Sequence, residues 1–217
     1  MQRATPPIIF LRIARYGAWI GVVVLLAVVT WSYFAPEKRV LRDERYQLGG
    51  PISEIGGPFT LIDHNGRMVT EKEFAGRPTL VFFGFTSCPD VCPTALWNVT
   101  ELLRQVDDDA RDLRVLFISV DPERDTPAKM KDYVSNFDAR VVGLTGTLEQ
   151  VAAAAKAYRA YFKKVIQEGG NYTMDHTATV YMMDRNGKFR GTIDVHQAKD
   201  ASLAKLRRLI SERGVAE

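Results

Sequence analysis

Thr79-Leu80-Val81-Phe82-Phe83-Gly84-Phe85-Thr86-Ser87-Cys88-Pro89-Asp90-Val91-Cys92-Pro93-Thr94-Ala95-Leu96 is the stretch that decides the fold of this chain. Its opening run, from Thr79 to Phe85, is short and almost fully apolar, the pattern of a central strand buried on both faces. Beyond the cysteines, Leu96, Val99, Leu102, Leu103 and Val106 recur at helical spacing. A buried strand thus runs into a helix, and both cysteines stand at the junction. Three residues separate them, and in a helical turn that i, i+4 spacing stacks both side chains on one face, where the sulfurs can meet as a disulfide or converge on a metal ion. The dipole and free amides of a helix start favour thiolate, the form that binds metal or attacks disulfides.

On the N-terminal side, Phe59–Asp63 and Met68–Thr70 flank His64-Asn65-Gly66-Arg67, and Asn-Gly between such runs signals a hairpin. On the C-terminal side, Val115-Leu116-Phe117-Ile118 is a second apolar strand, followed by a helix that Thr126 caps and Pro127 opens. Val141-Val142-Gly143-Leu144 is a third strand, and Thr147-Leu148-Glu149-Gln150 has the capping-box spacing for a helix to about Tyr161. Lys163 to Asp175 reads as a polar, Gly-containing loop. Thr177–Asp184 and Lys188–Thr192 form a hairpin across Arg185-Asn186-Gly187, and Asp200 caps a last helix with an apolar face of Leu203, Leu206 and Ile210. This alternation predicts an α/β fold, a thioredoxin-like mixed sheet flanked by helices.

Composition fits one such domain with an appendage: 217 residues, 46% hydrophobic, 25% charged. These values exclude a disordered chain or a collagen-like repeat. The net charge of +3 is unevenly spread, because residues 1–45 hold seven basic and three acidic side chains while the remainder holds 22 and 23. The large domain is close to neutral and carries no basic stripe, so nucleic acid is not an expected partner.

From Tyr16 to Pro36 the chain runs 21 residues without a charge, and about 20 helical residues span the hydrocarbon core of a bilayer. Trp19 near one end and Trp31, Tyr33 and Phe34 near the other suit the interfacial belts. Arg3, Arg12 and Arg15 predict that residues 1–15 stay in the cytoplasm. The expected organisation is a single transmembrane helix over 16–36, a tether over 37–49 and an exported domain over 50–217. A cleaved signal peptide is the competing reading, and the bulky Trp31-Ser32-Tyr33-Phe34-Ala35-Pro36 offers it a poor cleavage site.

Three readings of Cys88 and Cys92 compete. A structural disulfide would close a five-residue loop, worth only about 2 kcal/mol. A thiol–disulfide oxidoreductase usually has two residues between its cysteines. A metal site needs a third ligand, and the chain has three histidines. His64, beside its turn, reads as solvated, and His196 as similar; His176 stands between a polar loop and an apolar strand, a scaffolded position where function concentrates. Two soft thiolates and an imidazole favour copper(I), and with a further ligand could hold copper(II). Met174 is a weaker candidate for a neighbour of the metal.

Four segments in order resemble the SCO/SenC family: Phe83-Gly84-Phe85-Thr86-Ser87-Cys88-Pro89-Asp90-Val91-Cys92-Pro93, Ser119-Val120-Asp121-Pro122-Glu123-Arg124-Asp125-Thr126-Pro127, Gly143-Leu144-Thr145-Gly146-Thr147 and Asp175-His176-Thr177. The family comprises membrane-anchored copper chaperones for cytochrome c oxidase assembly. The resemblance implies copper held by Cys88, Cys92 and His176, with Asp90 and Asp175 behind the ligands or facing a partner. It implies delivery to the dinuclear copper site of oxidase subunit II, or reduction of that subunit's cysteines, with an upstream copper donor and a thiol reductant as further partners. The implied location is the bacterial inner membrane, with the C-terminal domain in the periplasm. A thiol–disulfide reductase, a redox or copper sensor, and peroxidase chemistry use the same residues and remain alternatives.

Overall fold

Pairing of the buried run Thr79–Gly84 with a parallel strand on one side and an antiparallel strand on the other sets the architecture. The computed structural model describes residues 55–106, 110–194 and 198–212, together with 19, 21, 23–26 and 30. The strands are β1 (Thr60–Asp63), β2 (Met68–Thr70), β3 (Thr79–Gly84), β4 (Arg114–Ser119), β5 (Val141–Thr145), β6 (Phe162–Ile166), β7 (Tyr172–His176), β8 (Thr179–Met183) and β9 (Phe189–Asp194). The helices are α1 (Val91–Val106), α2 (Pro127–Val134), α3 (Leu148–Ala157) and α4 (Lys199–Ser211). Seven strands form one mixed sheet in the order β2-β1-β5-β4-β3-β8-β9, and β6 and β7 form a separate two-stranded sheet.

β3, β4 and β5 are parallel, and β8 lies antiparallel on the other side of β3. β3 is therefore an interior strand, paired on both sides, and all six of its residues are buried. Leu80, Val81, Phe82 and Phe83 have 0–1% of their surface exposed; burying such side chains contributes about 1.5–3 kcal/mol each. The register aligns Gly84 with Ser119, so β3 and β4 end at the same edge of the sheet. Open α/β sheets carry their sites at this edge, outside the carboxyl ends of parallel strands.

α1 buries Leu96, Val99, Leu102, Leu103 and Val106, the stripe expected from its spacing. Thr126 caps α2 by accepting from the Lys129 amide, and Thr147 and Gln150 form the capping box of α3. The Asn65-Gly66 and Asn186-Gly187 hairpins lie where the sequence predicts them.

The polar stretch Lys163–Asp175 is not a loop: β6 and β7 pair antiparallel, from Phe162 opposite His176 to Ile166 opposite Tyr172. The hairpin escapes sequence reading because Lys163 to Ile166 are exposed and carry no alternating apolar signal. Its turn uses Gly169 and Gly170, both at positive φ (88° and 83°), where a side chain would be strained. α3 stops at Ala157 rather than near Tyr161, because Arg159 turns left-handed at φ 53°. Asp200 does not cap α4; Ala198 holds that position and Asp200 lies in the first turn, where it complements the helix dipole. The last helix buries Leu206 and Leu209, with Leu203 and Ile210 partly covered. His64 is half-buried rather than solvated, and its Nδ1 accepts from the Gly143 amide at 3.1 Å.

The chain divides into two compact units, Met1–Gly50 and Pro51–Glu217. In the first, the described residues are helical, and Thr30 donates its hydroxyl to the Leu26 carbonyl at 2.6 Å. Most of the expected 16–36 span and the 37–49 tether lie outside the described residues, as does His196. Among the described residues no helix is long and apolar enough to cross a membrane.

Candidate metal centre

The cysteines occupy two different environments. β3 ends at Gly84, and the chain turns so that the Cys88 amide donates to the Phe85 carbonyl at 3.3 Å. α1 begins only at Val91, so Cys88 precedes the helix and Cys92 lies in its first turn. Both thiols are free, Cys88 half-buried and Cys92 fully buried. The Cys92 amide points at Cys88 Sγ across 3.5 Å, so this sulfur sits where a helix-capping acceptor sits. Gly84 makes room for Cys92: a Cβ there would lie 2.9 Å from its Sγ and 2.7 Å from the Phe117 ring.

His176 closes the group from the end of β7. Its Nε2 lies 3.4 Å from Cys92 Sγ, and its Nδ1 lies 3.2 Å from the Thr177 carbonyl. A carbonyl can only accept, so Nδ1 carries the proton and the Nε2 lone pair faces the sulfurs. The ring is held edge-on by Phe85 and Phe82, at 5.7 and 6.2 Å between centroids. Burial pushes the imidazole pKa down, against smaller opposing effects of Thr177, Asp175 and Phe83. Burial pushes the Cys92 thiol pKa far up, with the Phe85 backbone opposing and Cys88 adding to the rise. Without a metal the pair is therefore a thiol S–H facing a neutral imidazole nitrogen.

The ligand atoms of Cys88, Cys92 and His176 all lie within 4.8 Å of one another, and among the described residues no other group of three His, Cys, Asp or Glu side chains does so. Bonds of about 2.3 Å to sulfur and 2.0–2.1 Å to imidazole would space the donors of a trigonal centre roughly 3.8–4.0 Å apart. The observed spacing admits such a centre, and two sulfurs with one imidazole suit a soft ion. Met174 is buried and shares His176's face of β7 by strand alternation.

Asp90 and Asp175 flank the triad without joining it. Asp90 is exposed and opens α1, its carbonyl accepting from the Thr94 amide at 3.1 Å and its carboxylate from the Thr94 hydroxyl at 3.4 Å. Asp175 is exposed, opposite Lys163 in the hairpin and on the face of β7 away from His176.

Sequence reading assigned no role to the loop between β4 and α2, which braces both ligand-bearing segments. Asp125, fully buried, accepts from the Thr86 amide (3.0 Å), the Thr86 hydroxyl (2.6 Å) and the Ser119 hydroxyl (2.6 Å). It thereby fixes the residue two before Cys88. Asp121, also buried, accepts from the Tyr172 hydroxyl at 2.9 Å, and Arg124 donates to the Tyr172 carbonyl at 3.1 Å. The available signal is topological: parallel β3 and β4 end in register, so whatever follows β4 must border the cysteine turn.

The family model described as SCO1/SenC matches residues 50–211. "Protein SCO2, mitochondrial" of Saccharomyces cerevisiae is 35% identical over 208 residues, covering 93% of this chain and 68% of that protein. Among solved structures, Bradyrhizobium japonicum ScoI with copper bound is 50% identical, covers 71% of this chain and 99% of its own, and superposes with a TM-score of 0.66. Yeast Sco1 with copper bound is 35% identical over 75% of this chain and 92% of its own, with a TM-score of 0.69.

Proposed function

The chain belongs to the SCO1/SenC family, and on that footing we propose that it is a membrane-anchored copper chaperone whose cargo is held by Cys88, Cys92 and His176. The observation that carries the reading is the convergence of these three donors within 4.8 Å, with the imidazole lone pair turned toward the sulfurs. The copper-bound relatives named above support copper as the ion, and the soft donor set agrees with copper(I). Its destination is the dinuclear copper site of cytochrome c oxidase subunit II, reached by ligand exchange outside the cytoplasmic membrane. The uncharged stretch Tyr16–Pro36 anchors the domain there, with residues 1–15 inside and the domain in the periplasm.

The chain's own residues divide the work. Cys92, fixed in the core, gives up its thiol proton when it becomes a ligand. Cys88, more exposed, is the sulfur an incoming partner meets first. His176 is carried on a hairpin separate from the main sheet, so it can withdraw without disturbing the helix that bears Cys92.

Full-length protein purified in detergent and loaded anaerobically should hold about one copper(I), and transfer it to purified subunit II. Cys88→Ser, Cys92→Ser and His176→Ala should each weaken retention sharply; full affinity after His176→Ala would overturn the ligand assignment. Reporter fusions before Arg3 and after Glu217 test the topology.

The unequal exposure of the two sulfurs favours a second reading, thiol–disulfide exchange. Cys88 thiolate would attack a partner disulfide and expel one partner thiolate; Cys92 would then attack Cys88, release the second and leave a Cys88–Cys92 disulfide. Two electrons pass to the partner, and the upstream thiol reductant restores the pair. Activity that needs both cysteines and survives His176→Ala would select this reading.

A further inference from the structure

The β6–β7 hairpin shares no backbone ladder with the main sheet, yet it must hold His176 against a sulfur fixed in the core. Its polar ties to the domain gather on Asp121, Glu123 and Arg124. The Tyr172 hydroxyl reaches Asp121 at 2.9 Å and Glu123 at 3.4 Å, and Lys164 pairs with Glu123 at 2.5 Å. At the centre of this cluster the Arg124 guanidinium lies 3.8 Å from the centroid of the Tyr172 ring, while its Nη1 holds the Tyr172 carbonyl and its Nε the Asp121 carboxylate. The same guanidinium lies 5.9 Å from the centroid of Phe85, whose ring meets His176 edge-on. One side chain therefore touches the hairpin that carries the histidine and the turn that carries the cysteines.

We propose that Arg124 is a positioning residue of the copper site: stacked on Tyr172 and facing Phe85, it latches the β6–β7 hairpin to the cysteine turn, and loosening this latch is what frees His176 for ligand exchange. The inference rests on the copper reading above and extends it from ligands to the control of release. Arginine suits the task because its planar, delocalised cation can stack on a ring while its N–H groups bond in the plane, which a lysine ammonium cannot do.

The test uses full-length protein in detergent, loaded with copper(I), and measures the rate of copper loss to a chromophoric copper(I) chelator. The electron paramagnetic resonance spectrum of the copper(II)-loaded form is recorded alongside. Arg124→Gln should bind copper and release it about tenfold faster, the effect expected for a residue that orients a metal ligand, with a spectrum shifted toward that of His176→Ala. Arg124→Lys should restore only part of the rate. Tyr172→Phe, which keeps the ring and removes one hydrogen bond, should accelerate release about two- to tenfold. Wild-type rate and spectrum in both Arg124→Gln and Tyr172→Phe, with His176→Ala altered, would overturn the latch and leave the copper site standing. A wild-type result for His176→Ala as well would overturn the site itself. A thermal shift in Arg124→Gln with an unchanged spectrum and rate would reduce Arg124 to a structural role and likewise overturn the proposal. Should Arg124→Gln fail to fold, Tyr172→Phe decides by the same criteria.

Discussion

Phe82 and Phe83, a few residues before Cys88, have no more than 1% of their surface exposed, whereas Val165 and Ile166, in the hairpin that presents His176, are 39% and 68% exposed. The cysteine segment is built on an interior strand of a seven-stranded sheet, and the histidine segment on two strands that pair only with each other. On the proposed function, the difference lets a site hold an ion and still release it: Cys92 inherits the rigidity of the core, and His176 the lower local stability of a peripheral hairpin.

The largest effect on this contrast should come from Phe82→Ala, which empties a core position beside both Phe117 and His176. A loss of about 3–5 kcal/mol in chemical denaturation is expected, together with loss of metal binding. Asp125→Ala should cost about 1.5–3 kcal/mol, because it strips a buried carboxylate from the Thr86 amide and from the Thr86 and Ser119 hydroxyls. Gly84→Ala should cost about 1–3 kcal/mol through overpacking, and should also weaken copper retention, since its Cβ would press on Cys92 Sγ.

On the histidine side, Ile166→Ser should change stability by no more than about 0.5 kcal/mol, and amides of β6 and β7 should exchange with solvent faster than those of β3. Equal protection of the two regions would remove the contrast. The pH dependence of metal binding sharpens it from the cysteine side. Burial raises the Cys92 thiol pKa, so the unloaded protein keeps that proton throughout the neutral range and a bound metal must displace it. Apparent copper affinity should therefore rise with pH, by about tenfold per unit for this proton alone. A flat affinity from pH 6 to 8 would contradict the buried-thiol geometry.

Legibility in the sequence follows the same division. The strand Thr79–Gly84, the helix after the cysteines, the Thr126 and Thr147 caps and the two Asn-Gly hairpins are encoded in runs of a few residues whose period or turn chemistry is unambiguous. β6 and β7 are not, because exposed strands need no apolar alternation and Lys163-Lys164 resembles loop composition. Asp121, Arg124 and Asp125 entered only within a segment of the family resemblance, without a role, because the groups they hold, Tyr172 and Thr86, lie far along the chain.

The sequence by itself determined that a buried strand delivers two cysteines to a helix start, because that information is local in side-chain size, period and spacing. Only the tertiary structure decided that His176, 84 residues after Cys92, turns its Nε2 toward that sulfur. It alone decided that Asp125, 39 residues after Thr86, fixes the cysteine turn, and that Arg124 links that turn to the hairpin. These contacts follow from strands β3 and β4 ending in register at one edge of the sheet, and strand adjacency is set by long-range packing that no single window of sequence contains.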